Sequence, residues 1–296
     1  MKFFKTTIIM ALLCASWLAC VTSLAMAEEA QKPAESKETL SGYNDWHVLL
    51  NPYGWIFALQ GDITVRGRSA PVDVTVLDTL ELLDDVQALF MGRFEVSKGP
   101  WGLLFDTAGV QMRAEAERGR DIQIPIFTRP IPLRGRVSVT SVIGVTEGSL
   151  SYDVYTSSHL VDNMPDLILE ALAGARYTFL YSRVHASLQG PRRILTLNVV
   201  GSGTQDWVDP FVGGHVQWRP AANWILGFRT DVGGFTLNSD VALQFNAEVA
   251  YRLNRWWLIN GGYRALYTDY ETGSGRDKFA YNMWMHGPWL GVALEF

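Results

Sequence analysis

Residues 283–296 alternate by twos. Leu290, Val292, Leu294 and Phe296 fall on one face of a strand, and Gly291, Ala293 and Glu295 on the other. That spacing belongs to a strand whose two faces meet different surroundings. An aromatic ring at the end of the large apolar face suits a strand that keeps this face against lipid. In a soluble domain the same ring would be left in water. The rule recurs upstream. In 241–252, Val241, Leu243, Phe245, Ala247, Val249 and Tyr251 oppose Gln244, Asn246, Glu248 and Arg252. In 223–231, Trp224, Leu226 and Phe228 oppose Arg229 and Asp231. In 86–97, Ala88, Phe90, Phe94 and Val96 oppose Gln87, Arg93 and Glu95. In 167–182, Leu169, Ala173, Tyr177, Phe179 and Tyr181 oppose Glu170, Gly174, Arg176 and Ser182.

A soluble sandwich alternates too, so the pattern alone does not decide. Two features favour a barrel in a membrane. The rings cluster near strand ends, and the polar face mixes Arg with Asp and Glu while nearly lacking Lys, as an enclosed lumen would and a solvated face would not. After the first 27 residues no segment reaches the roughly 18 continuous apolar residues of a membrane helix. A chain that spans lipid without such helices must close its sheet, because open edges leave backbone groups unpaired there. The segments 46–61, 86–98, 101–114, 138–157, 167–188, 207–219, 223–234, 239–253, 256–270 and 280–296 read as strands. The fold expected is therefore all-β: a transmembrane antiparallel up-and-down barrel of about ten strands, with eight or twelve as alternatives.

The N-terminus carries Lys2 and Lys5, an apolar run and then Ala25-Met26-Ala27. This is the pattern of a secretory signal peptide over 1–27, leaving about 269 residues after cleavage. Trp17-Leu18-Ala19-Cys20 is a poor rival as a lipoprotein site. Both cysteines, Cys14 and Cys20, lie in this leader, so the exported chain has no thiol for a disulfide or a Cys-based metal site. Residues 28–44 are rich in Glu, Lys, Ala, Ser and Pro without periodicity, and read as a flexible periplasmic tail ahead of a barrel over 45–296. A net charge of −5 argues against nucleic acid as a partner.

Two kinds of break separate the strands. Lys98-Gly99-Pro100, Arg219-Pro220-Ala221-Ala222-Asn223 and Leu253-Asn254-Arg255 are short, and 62–85, 115–138, 189–206 and 272–279 are long. Short turns on one side and long loops on the other are how outer-membrane barrels are built. Trp101, Trp218, Trp224, Trp256 and Trp257 flank the short breaks and form the expected membrane girdle. In the first long break, Asp78-Thr79-Leu80-Glu81 looks like a capping box for a short helix, with Asp78 as cap. Such a helix either plugs the mouth or rests on the rim.

With these features in place, the chain resembles the small Gram-negative outer-membrane β-barrel proteins, and among them a largely uncharacterised proteobacterial set. The resemblance rests on Pro52-Tyr53-Gly54-Trp55, Gly61-Asp62-Ile63-Thr64-Val65, Val72-Asp73-Val74 and Lys98-Gly99-Pro100-Trp101-Gly102. Further stretches are Ala171-Leu172-Ala173-Gly174-Ala175-Arg176-Tyr177, Pro210-Phe211-Val212-Gly213-Gly214 and Gly261-Gly262-Tyr263-Arg264. It implies an outer-membrane location and no particular activity.

Arg93, Glu95, Asp106, Asp153, Glu170, Arg176, Asp209, Arg229, Asp231, Glu248, Arg252, Arg264 and Glu295 are expected to point inward as a polar network. They either fill the lumen with ion pairs or line a narrow path for small solutes. Arg118, Arg120, Arg129, Arg134 and Arg136, with Arg113, gather in a long loop and are candidates for lipopolysaccharide phosphates, or for a solvated loop. Phe296 is the expected signal to the barrel assembly machinery. No nucleophile motif accompanies His47, His159, His185, His215 or His286, so no catalytic residue is assigned, and no metal or cofactor. The function expected is an occluded envelope barrel or a slow solute path. Surface recognition is the alternative, and a rim enzyme acting on lipids or peptides ranks behind both.

Overall fold

The computed structural model describes residues 43–81, 86–122, 131–161, 164–189 and 196–296. The expected leader, most of the expected tail, Arg129 and residues 82–85 of the expected helix lie outside them. The strands are β1 (Trp46–Trp55), β2 (Ala58–Val65), β3 (Arg68–Val74), β4 (Val86–Lys98), β5 (Trp101–Ile122), β6 (Ile131–Thr156), β7 (Leu160–Val161) and β8 (Met164–Pro165). They continue with β9 (Leu167–Gln189), β10 (Thr196–Ala221), β11 (Trp224–Gly233), β12 (Ser239–Arg252), β13 (Trp257–Thr272) and β14 (Phe279–Glu295). One helix, α1, spans Val76–Glu81.

The strands pair antiparallel in the order β1-β4-β5-β6-β9-β10-β11-β12-β13-β14-β2-β3, and β14 also meets β1, with Leu50 opposite Leu294 and Trp55 opposite Trp289. The result is a closed ten-stranded barrel in which β1 and β2 together form the first stave. Closure carries to the last residue: Val48 N–H donates to the Phe296 carbonyl (3.0 Å), and Phe296 N–H to the Val48 carbonyl (2.9 Å). No helix among the described residues is long and apolar enough to cross a membrane.

The alternation is the wall. On β14, Tyr281, Met283, Met285, Trp289 and Ala293 are buried while Trp284, Leu290 and Val292 are exposed. Around the barrel the same outer face carries Leu50, Phe94, Leu103, Phe105, Leu150, Val212, Phe228, Val249 and Ile259, all exposed. A belt of this extent is stable only against lipid or another apolar partner. Trp46, Trp101, Trp218, Trp224, Trp256 and Trp257 are exposed at the end bearing the short turns.

Several expectations need correction. The single strand 46–61 is broken at Ile56-Phe57, where Trp55 N–H meets the Met91 sulfur (3.1 Å) instead of a ladder carbonyl. The breaks 115–138 and 189–206 are largely strand. The β5–β6 register runs unbroken from Trp101–Tyr152 to Ile122–Ile131, and β9–β10 from Leu167–Trp218 to Gln189–Thr196. Polar residues there hid strands that satisfy their backbone on each other. The break 62–85 contains β3, hairpinned onto β2. The helix cap is Thr75, three residues before the expected one: Asp78 N–H bonds the Thr75 hydroxyl (3.2 Å), and Asp78 Oδ2 accepts from Thr75 N–H (2.8 Å). That reciprocal pair is a capping box displaced by one turn. α1 lies against β2. Thr79, its buried residue, donates to the Phe57 carbonyl (2.7 Å), an acceptor left by the strand break.

The staves are unequal. β11 has 10 residues, a single membrane crossing, whereas β6 and β10 have 26 each. The sheet β5-β6-β9-β10 therefore stands well above the belt at the loop end.

Candidate functional site

The interior is layered along the barrel axis. Midway up, inward positions of seven strands bring four arginines and four carboxylates together. Arg264 bonds Asp106 (2.8 Å), and Arg93 bonds Asp106 (3.2 Å) and Glu248 (3.0 Å). Arg176 bonds Glu147 (3.0 Å) and Asp231 (2.8 Å), while Arg229 bonds Glu147 (2.7 Å) and Asp231 (3.1 Å). The layer is electroneutral by charge count, as buried charges must nearly be. Tyr53 donates to Asp106 (2.9 Å), and the Gln244 carbonyl accepts from both Arg264 Nε (3.2 Å) and Nη2 (2.9 Å).

Aromatic rings back the same arginines. Arg176 and Arg229 both lie over Phe211, at 4.9 and 5.5 Å from its centroid. Arg264 lies over Trp55 (5.2 Å) and Arg93 over Trp289 (5.7 Å). Weakly hydrated guanidinium stacks on rings while its edges meet carboxylates, which is why this layer uses Arg and no Lys. Gly174 makes room for it: a Cβ there would lie 2.8 Å from the Phe211 ring tip and 2.2 Å from the Gly148 carbonyl.

Above the ions the lumen is apolar. Trp55, Phe57, Met91, Val110, Val145, Leu266 and Met285 form one cluster. Trp207, Tyr270, Phe279, Tyr281 and Met283 form a second, with Trp207 stacked on Tyr270 at 4.2 Å. Buried Asp209 belongs to this upper region. It accepts from the Trp207 ring N–H (3.0 Å) and from Ser239 N–H and hydroxyl (3.0 and 2.7 Å), so it acts as an anchor for the β11–β12 turn.

Below the ions lies a chamber of about 190 Å³ open at the turn end. Glu95, Asp153, Glu170, Glu248 and Glu295 line it together with Arg93, Arg219, Arg229, His47 and His215. His215 Nδ1 is 3.2 Å from Glu170, and Arg252 pairs with Glu295 (2.9 Å) at its rim. Tyr43 reaches in from the N-terminal side to donate to Asp153 (2.5 Å). Burial and the adjacent carboxylate push the Tyr43 phenol well above its usual range.

All thirteen expected network residues thus face the interior, at three levels. Arg93, Asp106, Arg176, Arg229, Asp231, Glu248 and Arg264 make the ionic layer, Asp209 sits above it, and Glu95, Asp153, Glu170, Arg252 and Glu295 sit below. Sequence reasoning missed Glu147, on which three arginines converge, although it lies in phase with Asp153 on β6. It also missed Asn51 and Asn260. The side chains of Arg118, Arg120, Arg134, Arg136 and His185 are outside the described set; their backbone belongs to the tall sheet. His286 is on the outer face, bonded to Tyr263 (2.6 Å). Among the described residues no three His, Cys, Asp or Glu side chains are placed to hold a metal ion.

No family model matches the sequence, and no curated protein matches it. Solved structures that the barrel matches are Gram-negative outer-membrane barrels. The outer membrane protease OmpT from Escherichia coli is 12% identical with a TM-score of 0.46, over 88% of this chain and 100% of that one. The translocator domain of the autotransporter NalP from Neisseria meningitidis is 11% identical with a TM-score of 0.35, over 95% and 96%. Ail, the attachment invasion locus protein of Yersinia pestis, is 9% identical with a TM-score of 0.26, over 85% and 98%. At these scores they carry no argument about activity, ligand or partner.

Proposed function

We propose that the protein is an outer-membrane barrel with a sealed lumen, an envelope element that anchors a tall extracellular sheet and does not pass solutes. The observation that carries this reading is the stack of an ionic layer beneath two apolar clusters, which fills the cross-section with side chains from most of the staves. Filling by side chains is the usual state of small barrels. The apolar belt and the tryptophans at the turn end support the membrane location, with the short turns toward the periplasm. Purified protein in planar bilayers should give no unitary steps at 100 mV. Reproducible steps from the unmodified chain would overturn the reading.

A second reading concerns the tall sheet. Backbone pairing brings the strand segments carrying Arg118, Arg120, Arg134 and Arg136 together above the belt, with Arg136 opposite Glu117. The planar guanidinium of arginine suits lipopolysaccharide phosphates. Replacing all four with Gln should weaken binding to lipopolysaccharide micelles at low salt; unchanged binding would leave only a display role. Assembly is proposed to run through β14 and Phe296, whose ring meets Trp256 at 5.6 Å.

A further inference from the structure

Backbone pairing leaves the tall sheet with two open sides. On β5, pairing with β4 ends at Met112, opposite Val86, while pairing with β6 continues to Ile122. On β10, pairing with β11 begins only at Phe211, opposite Gly233, while β9 accompanies the strand from Thr196. Among the described residues, no strand pairs with 113–122 on the β4 side or with 196–207 on the β11 side. The lower end of β10 sets which of its groups face the open side. The Val208 carbonyl accepts from the Asn238 amide (2.6 Å) and the Pro210 carbonyl from Gly234 N–H (3.1 Å), both on the β11 side. A strand alternates by twos and the β9–β10 register runs unbroken, so the N–H and C=O of residues 198, 200, 202, 204 and 206 face that side too.

The two open sides differ in chemistry. Such edges are ordinarily guarded by charge or proline. The β5 segment carries Arg113, Glu115, Glu117, Arg118, Arg120 and Asp121, and β3, at the end of the sheet, carries Pro71. Residues 196–205 of β10 carry neither charge nor proline, and Ser202 and Thr204 are exposed. An unguarded edge of about ten residues, roughly 33 Å long, is a template for another strand.

We propose that this edge receives the β5 edge of a second copy, so that neighbouring barrels continue one another's tall sheet. β5 climbs from the turn end and β10 descends to it. Copies in one membrane share an orientation, so β10 against β10 would run parallel. β10 against β5 is antiparallel, the pairing used throughout this sheet. The levels match as well: rows running through β6 and β9 set Glu115 in line with Val200, and Arg118 with Leu197. An uncharged edge also sets no like charge against β5, as a second β5 would. Joining one side to the opposite side of the next copy is a heterologous contact, which builds a ring or a row. The inference rests on the outer-membrane reading, which supplies the common orientation, and is independent of whether the lumen is sealed.

The test is crosslinking in outer membranes of a Gram-negative host that expresses the full chain. Residues 45–296 contain no cysteine, so introduced thiols report alone. With a short bifunctional maleimide, Ser202→Cys co-expressed with Glu117→Cys should give a crosslinked dimer, and Ser202→Cys alone should give none. Thr204→Pro, added to the Ser202→Cys chain, removes a donor on the open side and spares the β9 ladder, and should cut the dimer about tenfold. If Thr204→Pro yields no heat-modifiable barrel, Thr204→Lys, a charge on the same edge, decides instead. No dimer from the co-expressed pair, a dimer from Ser202→Cys alone, or a dimer untouched by the edge variant that folds would each overturn the proposal. A missing heat-modifiable barrel in the outer membranes of cells making the unmodified chain overturns the membrane reading and the proposal with it. A conducting barrel that still crosslinks overturns the sealed lumen alone and supports the sheet contact.

Discussion

Removing one carboxylate from the ionic layer tests whether that layer holds the barrel together. Glu147→Gln deletes contacts at 2.7 Å to Arg229 and 3.0 Å to Arg176, and leaves four guanidiniums facing three carboxylates. Both arginines keep Asp231, at 3.1 and 2.8 Å, and Arg264 keeps Asp106 at 2.8 Å. Breaking a buried pair costs about 3–5 kcal/mol, and because no arginine is orphaned the loss belongs at the low end, about 3 kcal/mol. Asp106→Asn is worse, because the one carboxylate Arg264 then faces is Glu147 at 3.7 Å. That substitution should cost about 5 kcal/mol. Half-exposed Glu95→Gln should cost less than about 1 kcal/mol. Urea unfolding of protein in lipid vesicles, followed by tryptophan fluorescence and heat-modifiable gel mobility, reads the order directly. With an m-value of about 1–3 kcal/mol/M, Glu147→Gln should lower the midpoint by about 1 M or more. If Glu147→Gln and Glu95→Gln unfold at the same urea concentration, the claim that the ion pairs seal and stabilise the lumen is wrong.

Three other outcomes are expected. Gly174→Ala should prevent a heat-modifiable barrel from forming, since its Cβ meets backbone at 2.2 Å, while Gly54→Ala, with nothing within 4 Å, should assemble normally; equal yields would refute the close-approach argument. Trp207→Ala removes the ring stacked on Tyr270 and a donor to Asp209, and should cost about 3–5 kcal/mol in the same urea assay. The cap of α1 should be acid-labile. Hydrogen bonds from the Thr75 N–H and then its hydroxyl hold the Asp78 carboxyl below its usual range. The cap's contribution is therefore complete above the ordinary carboxylate pKa of about 4 and is lost as pH falls through the lower folded value. Hydrogen-exchange protection of the Thr79 amide, which bonds the Thr75 carbonyl, should fall across that window. An Asp78→Asn variant should lack the dependence, and flat protection to pH 2 in the parent would exclude the cap.

Period two made the wall legible from residues alone. Once Leu290, Val292 and Phe296 were set outward, the inward parity of Glu295, Glu248 and Arg264 followed, because a strand offers two faces only. The height at which each inward residue sits was not legible. It depends on register between strands, which sets Asp209 opposite Arg176 and Asp153 opposite Glu170. Glu147 had the right parity but sat among Thr146, Gly148 and Ser149, without the large outward rings that marked other strands. The Thr75 cap escaped because Asp78 matched the same local pattern one turn later. The approach of Asn51 and Asn260 to Gly291 is set by barrel closure, between positions 209 apart in sequence that local patterns do not encode.

The ionic layer has a consequence for biogenesis. Its partners come from opposite sides of the ring: Arg264 on β13 meets Asp106 on β5, and Arg93 on β4 meets Glu248 on β12. In a sheet not yet closed, Arg264 and Glu248 lack these counterions while Arg93 keeps Asp106 on the adjacent strand, and a hydrocarbon environment would bear the two unpaired charges. Pairs on one strand or on adjacent strands form earlier, and neutralisation is complete only when β14 meets β1. The network therefore works as a closure interlock: a partly formed sheet is barred from lipid by its own arginines, and sealing the wall and entering the membrane become one cooperative event.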